Sequence, residues 1–146
     1  MAENVPHKIV DVSVAIIVND RNEVLLQKKD MGYPWFPGGW CLFGGGIEPG
    51  ETPEGAIRRE IKEELPAVSC DGLRLFKKDS YRDVLPNRTR GGERHCFVVN
   101  YRGNISELSV REGAGFAYFS AAELDSIPLV QHDKDLLREF YESYRR

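Results

Sequence analysis

Apolar and polar residues divide the first half of the chain into short segments with strand character. Val10 to Val18 consists mostly of Val and Ile and hardly alternates, which predicts a strand buried on both faces. A polar turn follows, and Glu23 to Lys29 (EVLLQKK) predicts its antiparallel partner. The remaining predicted strands are Trp40 to Phe43, Leu73 to Tyr81, Arg94 to Tyr101 and Ala117 to Phe119.

One helix is predicted from about Pro53 to Leu65. Thr52 is a good N-cap residue, and proline suits the first helical position because its missing N–H would have no partner there. Pro66 disfavours helical geometry at the residue before it and ends the helix.

The C-terminal segment Gln131 to Tyr144 predicts an amphipathic helix, and a shorter helix start is predicted at Ser120. Leu136, Leu137, Phe140 and Tyr144 fall on one side of the terminal helix. Strands mixed with few helices indicate an α/β or α+β layered fold. No composition shift marks a boundary, so we expect a single domain over residues 1–146.

Two stretches between the predicted strands have loop composition. Asp30 to Gly39 (DMGYPWFPGG) contains two prolines and a glycine pair, and Pro86 to Glu93 (PNRTRGGE) is polar and glycine-rich. Both are predicted to be loops.

Composition excludes some classes of function. The net charge of -3 gives no large basic field, so bulk binding to nucleic acid is not expected, although a nucleotide substrate remains compatible. The three cysteines, Cys41, Cys70 and Cys96, are widely spaced, which favours a reducing, cytoplasmic setting. The N-terminus lacks a signal-peptide pattern, and no apolar run is long enough to span a membrane.

Two glutamates of the first helix lie where an amphipathic helix would place apolar residues. On a helical wheel Glu60 and Glu64 fall inside the arc of Ala56, Ile57 and Ile61. Two unpaired carboxylates there would be costly and would repel each other, and a cation between them relieves both effects. Hard oxygen ligands favour Mg²⁺ or Mn²⁺. The alternative is a solvated helix face with salt-bridged glutamates, such as Arg59 with Glu63.

The surrounding residues resemble a known motif. Gly45, Glu51, Arg59, Glu60, Ile61, Glu63 and Glu64 form the pattern G-x5-E-x7-R-E-I-x-E-E, which resembles the Nudix box at seven defined positions. The box glycine after the two glutamates is Pro66 here, and the next aliphatic position is Ala67. This departure removes no ligand, but it leaves the path of the 66–72 loop open.

The resemblance implies a Nudix-type α/β/α sandwich with a mixed sheet between helices. It implies that Glu60 and Glu64 bind the metal, with Glu63 a ligand or water-orienting group, and that the backbone carbonyl of Gly44 adds a ligand. Glu51 and Arg59 would pair to fix the loop against the helix.

The general base differs across the family: some members use a glutamate of the box, and others use a glutamate on a later loop or strand. Glu112, just before a predicted strand, is the expected candidate here, with Glu93 as the weaker competitor. For both, the alternative is a surface glutamate with no catalytic role.

Candidate substrate contacts lie in the two predicted loops. Trp35, Phe36 and Trp40 could stack on a base, although Trp40 could equally fill the core. Arg88, Arg90 and Arg94 could hold phosphates or remain solvated charges. His7, His95 and His132 are scattered without metal-ligand spacing, and we assign them no catalytic role.

The reaction implied by the resemblance is metal-dependent hydrolysis of a nucleoside diphosphate derivative, first of all a nucleoside triphosphate (oxidised ones included), giving the monophosphate and pyrophosphate. One alternative is a nucleotide-sugar or ADP-ribose hydrolase, often a homodimer, with Trp35 and Phe36 at the partner surface. Another is a non-catalytic nucleotide-binding regulatory module. The sequence names neither the base nor the sugar.

Overall fold

The computed structural model describes residues 7–109 and 115–143. Its strands and helices in chain order are β1 (His7–Ile9), β2 (Val12–Val18), β3 (Val24–Lys28), β4 (Trp40–Cys41), β5 (Phe43–Gly46), α1 (Pro53–Glu64), β6 (Arg74–Leu85), β7 (Arg88–Asn100), β8 (Gly115–Phe119) and α2 (Gln131–Ser143). Two short 3₁₀ turns cover Ile105–Glu107 and Ala121–Ser126.

The strands form one mixed sheet. Strand β7 pairs in parallel with β1 and β2 along one edge and antiparallel with β6 along the other. Strand β2 pairs antiparallel with both β3 and β5, and β3 pairs antiparallel with β4 and β8. The sheet therefore branches at β2, because β3 and β5 both pair with it. Residues of β2, β3 and β5 line the cavity described below.

The helices cover opposite faces of the sheet. Ala15 and Ile17 of β2 pack in one core cluster with Ile57 and Ile61 of α1. The alternate residues Ile16 and Val18 pack in a second cluster with Leu136, Leu137 and Phe140 of α2. Because both faces of β2 are covered, its sequence does not alternate. The α/β/α sandwich with a mixed sheet is thus confirmed.

Helix α1 begins as predicted. The Thr52 hydroxyl accepts a hydrogen bond from the Gly55 N–H at 3.0 Å, and Pro53 occupies the first turn. At the other end the Leu65 N–H still donates to the Ile61 carbonyl at 2.7 Å, while its own φ of -137° has left the helical region. Proline at position 66 therefore ends the helix in place of the box glycine.

The prediction of a loop over 86–93 is wrong. Strands β6 and β7 continue through it and are joined only at Pro86 and Asn87. Gly91 and Gly92 lie inside β7, where an added Cβ would come within 2.7 Å of the Tyr81 carbonyl oxygen or 2.6 Å of that of Val10. The glycines reflect close backbone approach rather than a turn.

The remaining elements need smaller corrections. The predicted strand at 10–18 begins at Val12. The strand predicted from Trp40 to Phe43 is divided between β4, which pairs with β3, and β5, which pairs with β2 and continues to Gly46. The helix start at Ser120 is a 3₁₀ turn, and Tyr144 lies outside the described residues. Within the described ranges, no helix is long and apolar enough to cross a membrane.

Candidate active site

The N-terminal end of α1 is fixed directly to the sheet. The buried Ser13 hydroxyl of β2 donates to the Pro53 carbonyl at 2.7 Å. Since β2 also pairs with the glycine strand β5, Ser13 opposite Gly45 and Val14 opposite Gly44, the helix and the glycines are held against a common strand.

Arg59 joins the helix to the preceding loop. Its Nε donates to Glu51 Oε2 at 2.6 Å and its Nη2 to Glu51 Oε1 at 3.0 Å, a bidentate pair, and Nη2 also donates to the Gly46 carbonyl at 3.1 Å. The hydrogen bonds from Arg59, with a further one at the Glu48 backbone, lower the pKa of Glu51 to about 2. The pairing of Glu51 with Arg59 is therefore present as predicted.

Two of the candidate ligands converge on this same guanidinium. Arg59 Nη1 donates to Glu60 Oε1 at 3.2 Å and to Glu63 Oε1 at 3.1 Å. The Glu60 side chain is 15% exposed, whereas that of Glu63 is 54% exposed. The pair of Arg59 with exposed Glu63 is the contact that a salt-bridged helix face predicts, whereas Glu60 is mostly buried and differs from a solvated glutamate.

The carboxylates of Glu60, Glu63 and Glu64 are of the chemical type that binds a divalent ion, but in this structure they do not surround a common ion position. Glu64 is half-buried, with its Oε2 atom shielded from solvent. In the described part of the chain, no three acidic, histidine or cysteine side chains are placed to hold a metal ion. Binding therefore requires side-chain rotation, most simply of Glu63 away from Arg59. All the available donors are oxygens, which suits Mg²⁺ or Mn²⁺.

The glycines of β5 are required by close approach. A Cβ on Gly45 would lie 2.7 Å from Glu60 Oε2, and one on Gly44, whose φ is +153°, would lie 2.2 Å from the Ser13 carbonyl oxygen. The backbone of β5 thus lies directly against the Glu60 carboxylate. Gly44, whose backbone carbonyl is a predicted metal ligand, directly precedes the residue that contacts Glu60.

A cavity of about 150 Å³ opens beside the glycine strand. Its walls come from β2, β3, the 33–36 loop, the β6–β7 hairpin and the start of α2. The lining includes Gln27, Lys29, Tyr33, Trp35, Phe36, Cys41, Leu42, Gly44, Gly45, Gly46, Tyr81, Asp83, Arg90, Arg94, His132 and Asp133. With mixed polarity and room for about one aromatic ring, this cavity is a candidate pocket for part of a ligand next to the glycine strand.

The predicted substrate contacts are distributed unevenly around this cavity. Trp35 and Phe36 line it, and the Arg90 guanidinium lies 4.5 Å from the centre of the Trp35 ring, with Arg88 at 4.9 Å. Trp40 instead packs edge-to-face on Phe119 at 4.8 Å and belongs to the second core cluster, since its strand runs beneath α2. Whether Trp35 and Phe36 also face a second protomer stays a prediction.

The structure corrects the expected location of Arg94 in a loop. It is not a solvated loop charge, because β7 carries it into the interior, where its side chain is 3% exposed. It donates two hydrogen bonds to Asp79 and one to Asp133. Arg90 likewise pairs with Asp83 at 2.8 Å. Both arginines line the cavity; carboxylates occupy three donors of Arg94, whereas Arg90 gives one hydrogen bond to Asp83 and one to the Tyr33 hydroxyl.

His132 is the residue that sequence reasoning passed over. It lines the cavity, and its Nε2 lies 2.9 Å from Asp83 Oδ1 while its Nδ1 lies 3.3 Å from Asp133 Oδ1 and 3.0 Å from Arg94 Nη1. Burial lowers the pKa of His132, but hydrogen bonds to Asp133 and Asp83 outweigh this and raise the pKa to about 9. No local motif marks it, since its acidic partner Asp83 is distant in sequence.

His132 should make stability depend on pH. Its folded-state pKa of about 9 lies above the ordinary 6.5, so its contribution is complete below pH 6.5 and is lost as the pH rises through 9. Urea unfolding should show that His132→Gln is less stable than wild type by on the order of 3 kcal/mol at pH 6, with the difference shrinking toward pH 10. His7→Gln, at an exposed position, serves as the control. A His132 difference that is constant with pH would contradict the prediction.

The proposed bases are placed as follows. Glu112 lies outside the described residues and stays a prediction. Glu93 is exposed on β7 and pairs with Lys78 at 3.4 Å, which gives it no contact with the acidic helix among the interactions seen.

The mixed sheet lies between the two helices α1 and α2, so the fold is an α/β/α sandwich. Its candidate active site is the carboxylate-rich side of α1 beside the glycine strand β5. The model of the NUDIX domain family matches residues 8–140 of this chain. The chain therefore belongs to the Nudix hydrolase family.

Curated relatives match over a shorter segment. The nucleoside triphosphatase NudI of Enterobacter sp. is 52% identical over 52 residues, 36% of this chain and 37% of that protein. NudI of Escherichia fergusonii is 70% identical over 50 residues, 34% of this chain and 35% of that protein. The matched segments thus span about a third of the length of these relatives.

Solved structures match over nearly the whole chain. The MutT protein from Methanosarcina mazei Go1 has a TM-score of 0.74 at 17% identity, covering 98% of this chain and 99% of that one. The NUDIX domain of Shewanella oneidensis NrtR, complexed with ADP ribose, has a TM-score of 0.73 at 17% identity, covering 92% and 87%. At these identities the likeness shows the fold alone.

Proposed function

We propose that this protein is a divalent-metal-dependent hydrolase of nucleoside triphosphates, releasing the nucleoside monophosphate and pyrophosphate. The observation that carries the proposal is the mostly buried Glu60 carboxylate lying directly against the glycine strand β5, which lines a cavity with room for about one aromatic ring. The triphosphatase activity of the curated relatives supports the choice of substrate class.

The roles follow from position. Glu60, Glu63 and Glu64, with the Gly44 carbonyl, would hold Mg²⁺ or Mn²⁺, which when bound neutralises the diphosphate oxygens and lowers the pKa of the attacking water. The pair of Arg59 and Glu51 holds the loop that precedes α1 against the helix. Glu112 is the proposed acceptor of the water's proton, and Trp35, Phe36, Arg88 and Arg90 would contact the nucleoside end of the substrate.

A second candidate, hydrolysis of a nucleotide sugar or ADP-ribose, is favoured by one observation. A neighbouring cavity of about 330 Å³ shares Val10, Trp35 and Arg90 with the first and is lined further by His7, Lys8, Arg88 and Thr89. Its basic wall could accept the second moiety of such a substrate.

One panel separates the candidates. Purified protein is incubated with the eight common ribo- and deoxyribonucleoside triphosphates, ADP-ribose and UDP-glucose, each with Mg²⁺, Mn²⁺ or excess EDTA. The proposal expects monophosphate and pyrophosphate from a triphosphate only when metal is present. Turnover of ADP-ribose or UDP-glucose alone would support the second candidate. Nucleotide binding without any turnover would indicate a regulatory module.

Gly45→Ala tests the contact between β5 and the acidic helix. The added methyl would lie 2.7 Å from Glu60 Oε2, so the flexible carboxylate must move while the backbone stays in place. We expect kcat/KM to fall about 10²-fold, as ångström-scale misplacement of a functional group does, with cooperative unfolding retained. Gly46→Ala, whose methyl meets Val10 Cγ1 at an ordinary 3.5 Å, should lose far less. Equal losses in the two variants would refute the argument.

A further inference from the structure

One side chain in the cavity wall has hydrogen-bonding capacity that the protein does not use. Gln27 on β3 is 1% exposed and lines the 150 Å³ cavity. Its Nε2 donates to the Leu42 carbonyl at 3.3 Å. Among the described residues its Oε1 has no hydrogen-bond partner and is shielded from solvent. A buried acceptor of this kind destabilises the protein unless a ligand or bound water satisfies it.

The orientation of the Gln27 amide is fixed by its neighbours. Exchanging its nitrogen and oxygen would bring Oε1 against the Leu42 carbonyl oxygen, a repulsive contact. Leu42 is itself held, because its N–H donates to Asp133 Oδ2 at 3.0 Å. The chain of contacts from Asp133 through Leu42 therefore fixes which amide atom is which, and Oε1 is the atom left to accept a hydrogen bond.

The other polar and aromatic groups of the cavity wall indicate what kind of ligand the cavity can bind. The carboxylates of Asp83 and Asp133 already accept hydrogen bonds from Arg90, Arg94 and Leu42. A cavity of about 150 Å³ is comparable with those that hold one aromatic ring. Aromatic side chains at 35 and 36 add flat apolar surface at the same cavity. The wall is therefore suited to a planar heterocycle that donates an N–H.

We propose that Gln27 determines base specificity by accepting, at Oε1, a hydrogen bond from an N–H of the substrate's nucleobase. This inference rests on the proposed function for the identity of the substrate as a nucleotide. One Nε2 hydrogen is donated to the Leu42 carbonyl, so the unsatisfied atom is Oε1, and the proposed discrimination rests on whether the base presents an N–H to it. Because Oε1 is shielded from solvent here, the contact requires the side chains that cover it to move when the base binds.

The test compares each common nucleoside triphosphate with its analogue in which the Watson–Crick-edge N–H hydrogens are replaced by methyl groups, for example UTP with N3-methyl-UTP. For wild type, N-methylation of the preferred substrate should lower kcat/KM by at least about tenfold, the loss of one buried hydrogen bond. In Gln27→Met, similar in shape but without the acceptor, the penalty should shrink to less than about threefold. Gln131→Met makes the same change at an exposed position at the start of α2 that does not line the cavity, and it should retain the wild-type penalty.

Further measurements distinguish a failure of the Gln27 inference from a failure of the proposed function. Base-free ribose 5-triphosphate should be hydrolysed at equal rates by wild type and Gln27→Met, which separates base reading from the phosphate chemistry. If wild type hydrolyses nothing, the proposed function fails, and calorimetry with the monophosphates and their N-methyl analogues still tests Gln27. Should Gln27→Met not fold, the ¹³Cδ resonance of Gln27 in wild type must shift on adding the monophosphate and not its methyl analogue. An equal N-methyl penalty in wild type and Gln27→Met, or none in wild type, overturns the inference.

Discussion

Glu64→Gln is expected to abolish most metal-dependent hydrolysis while leaving nucleotide binding in place. Glutamine keeps the shape of the side chain but removes its charge, so the acidic helix loses an anionic ligand and attracts a divalent cation less strongly. Loss of several kcal/mol of transition-state stabilisation corresponds to a fall in kcat of about 10²- to 10⁴-fold. Pyrophosphate release with saturating substrate and a titration of Mn²⁺ measures the effect.

The matched control lies on the same helix. Glu54→Gln also removes one charge, but Glu54 is exposed in the first turn and pairs with Arg58 at 3.0 Å on the solvent face. It should leave kcat and the metal dependence within about twofold of wild type, as exposed pairs contribute little. If Glu64→Gln turned over substrate as fast as Glu54→Gln, the helix would not hold a catalytic ion.

Arg94→Met is expected to cost about 3–5 kcal/mol in the free energy of unfolding. Arg94 and Asp133 form a buried pair, with side chains 3% and 5% exposed, and Asp79 accepts two further hydrogen bonds. Methionine fills much of the arginine volume but leaves Asp79 without its cation and Asp133 with only His132, and removing one partner of a buried ion pair is strongly destabilising. Urea unfolding followed by circular dichroism gives the value.

An exposed arginine provides the comparison. Arg58→Met breaks the surface pair with Glu54 and should cost no more than about 1 kcal/mol. The two variants differ in burial while sharing the chemical change, so the difference between them measures desolvation. Similar losses in both would mean that Arg94 is better solvated than its position inside β7 indicates.

The sequence by itself determined the parts of the protein in which neighbouring residues along the chain act together. The proline and threonine at the start of α1 and the proline after it set the helix bounds, because capping and backbone restriction are local effects. The unbroken apolar run of β2 indicated a strand with both faces covered. The box spacing brought Glu51 and Arg59 together, since loop and helix are contiguous. The glutamates share one helix for the same reason.

The tertiary structure alone decided where the second half of the chain meets this helix. Parallel pairing of β7 with β2 carries Arg94 inside, and α2 then delivers His132 and Asp133 to the same cavity. Glycine in β7 has the same composition signal as a turn, so the strand pairing that requires it could not be recognised from sequence. Gln27 looks like an ordinary strand residue until the fold closes around its amide. A buried acceptor without a partner is created by packing between distant segments, and no local pattern encodes it.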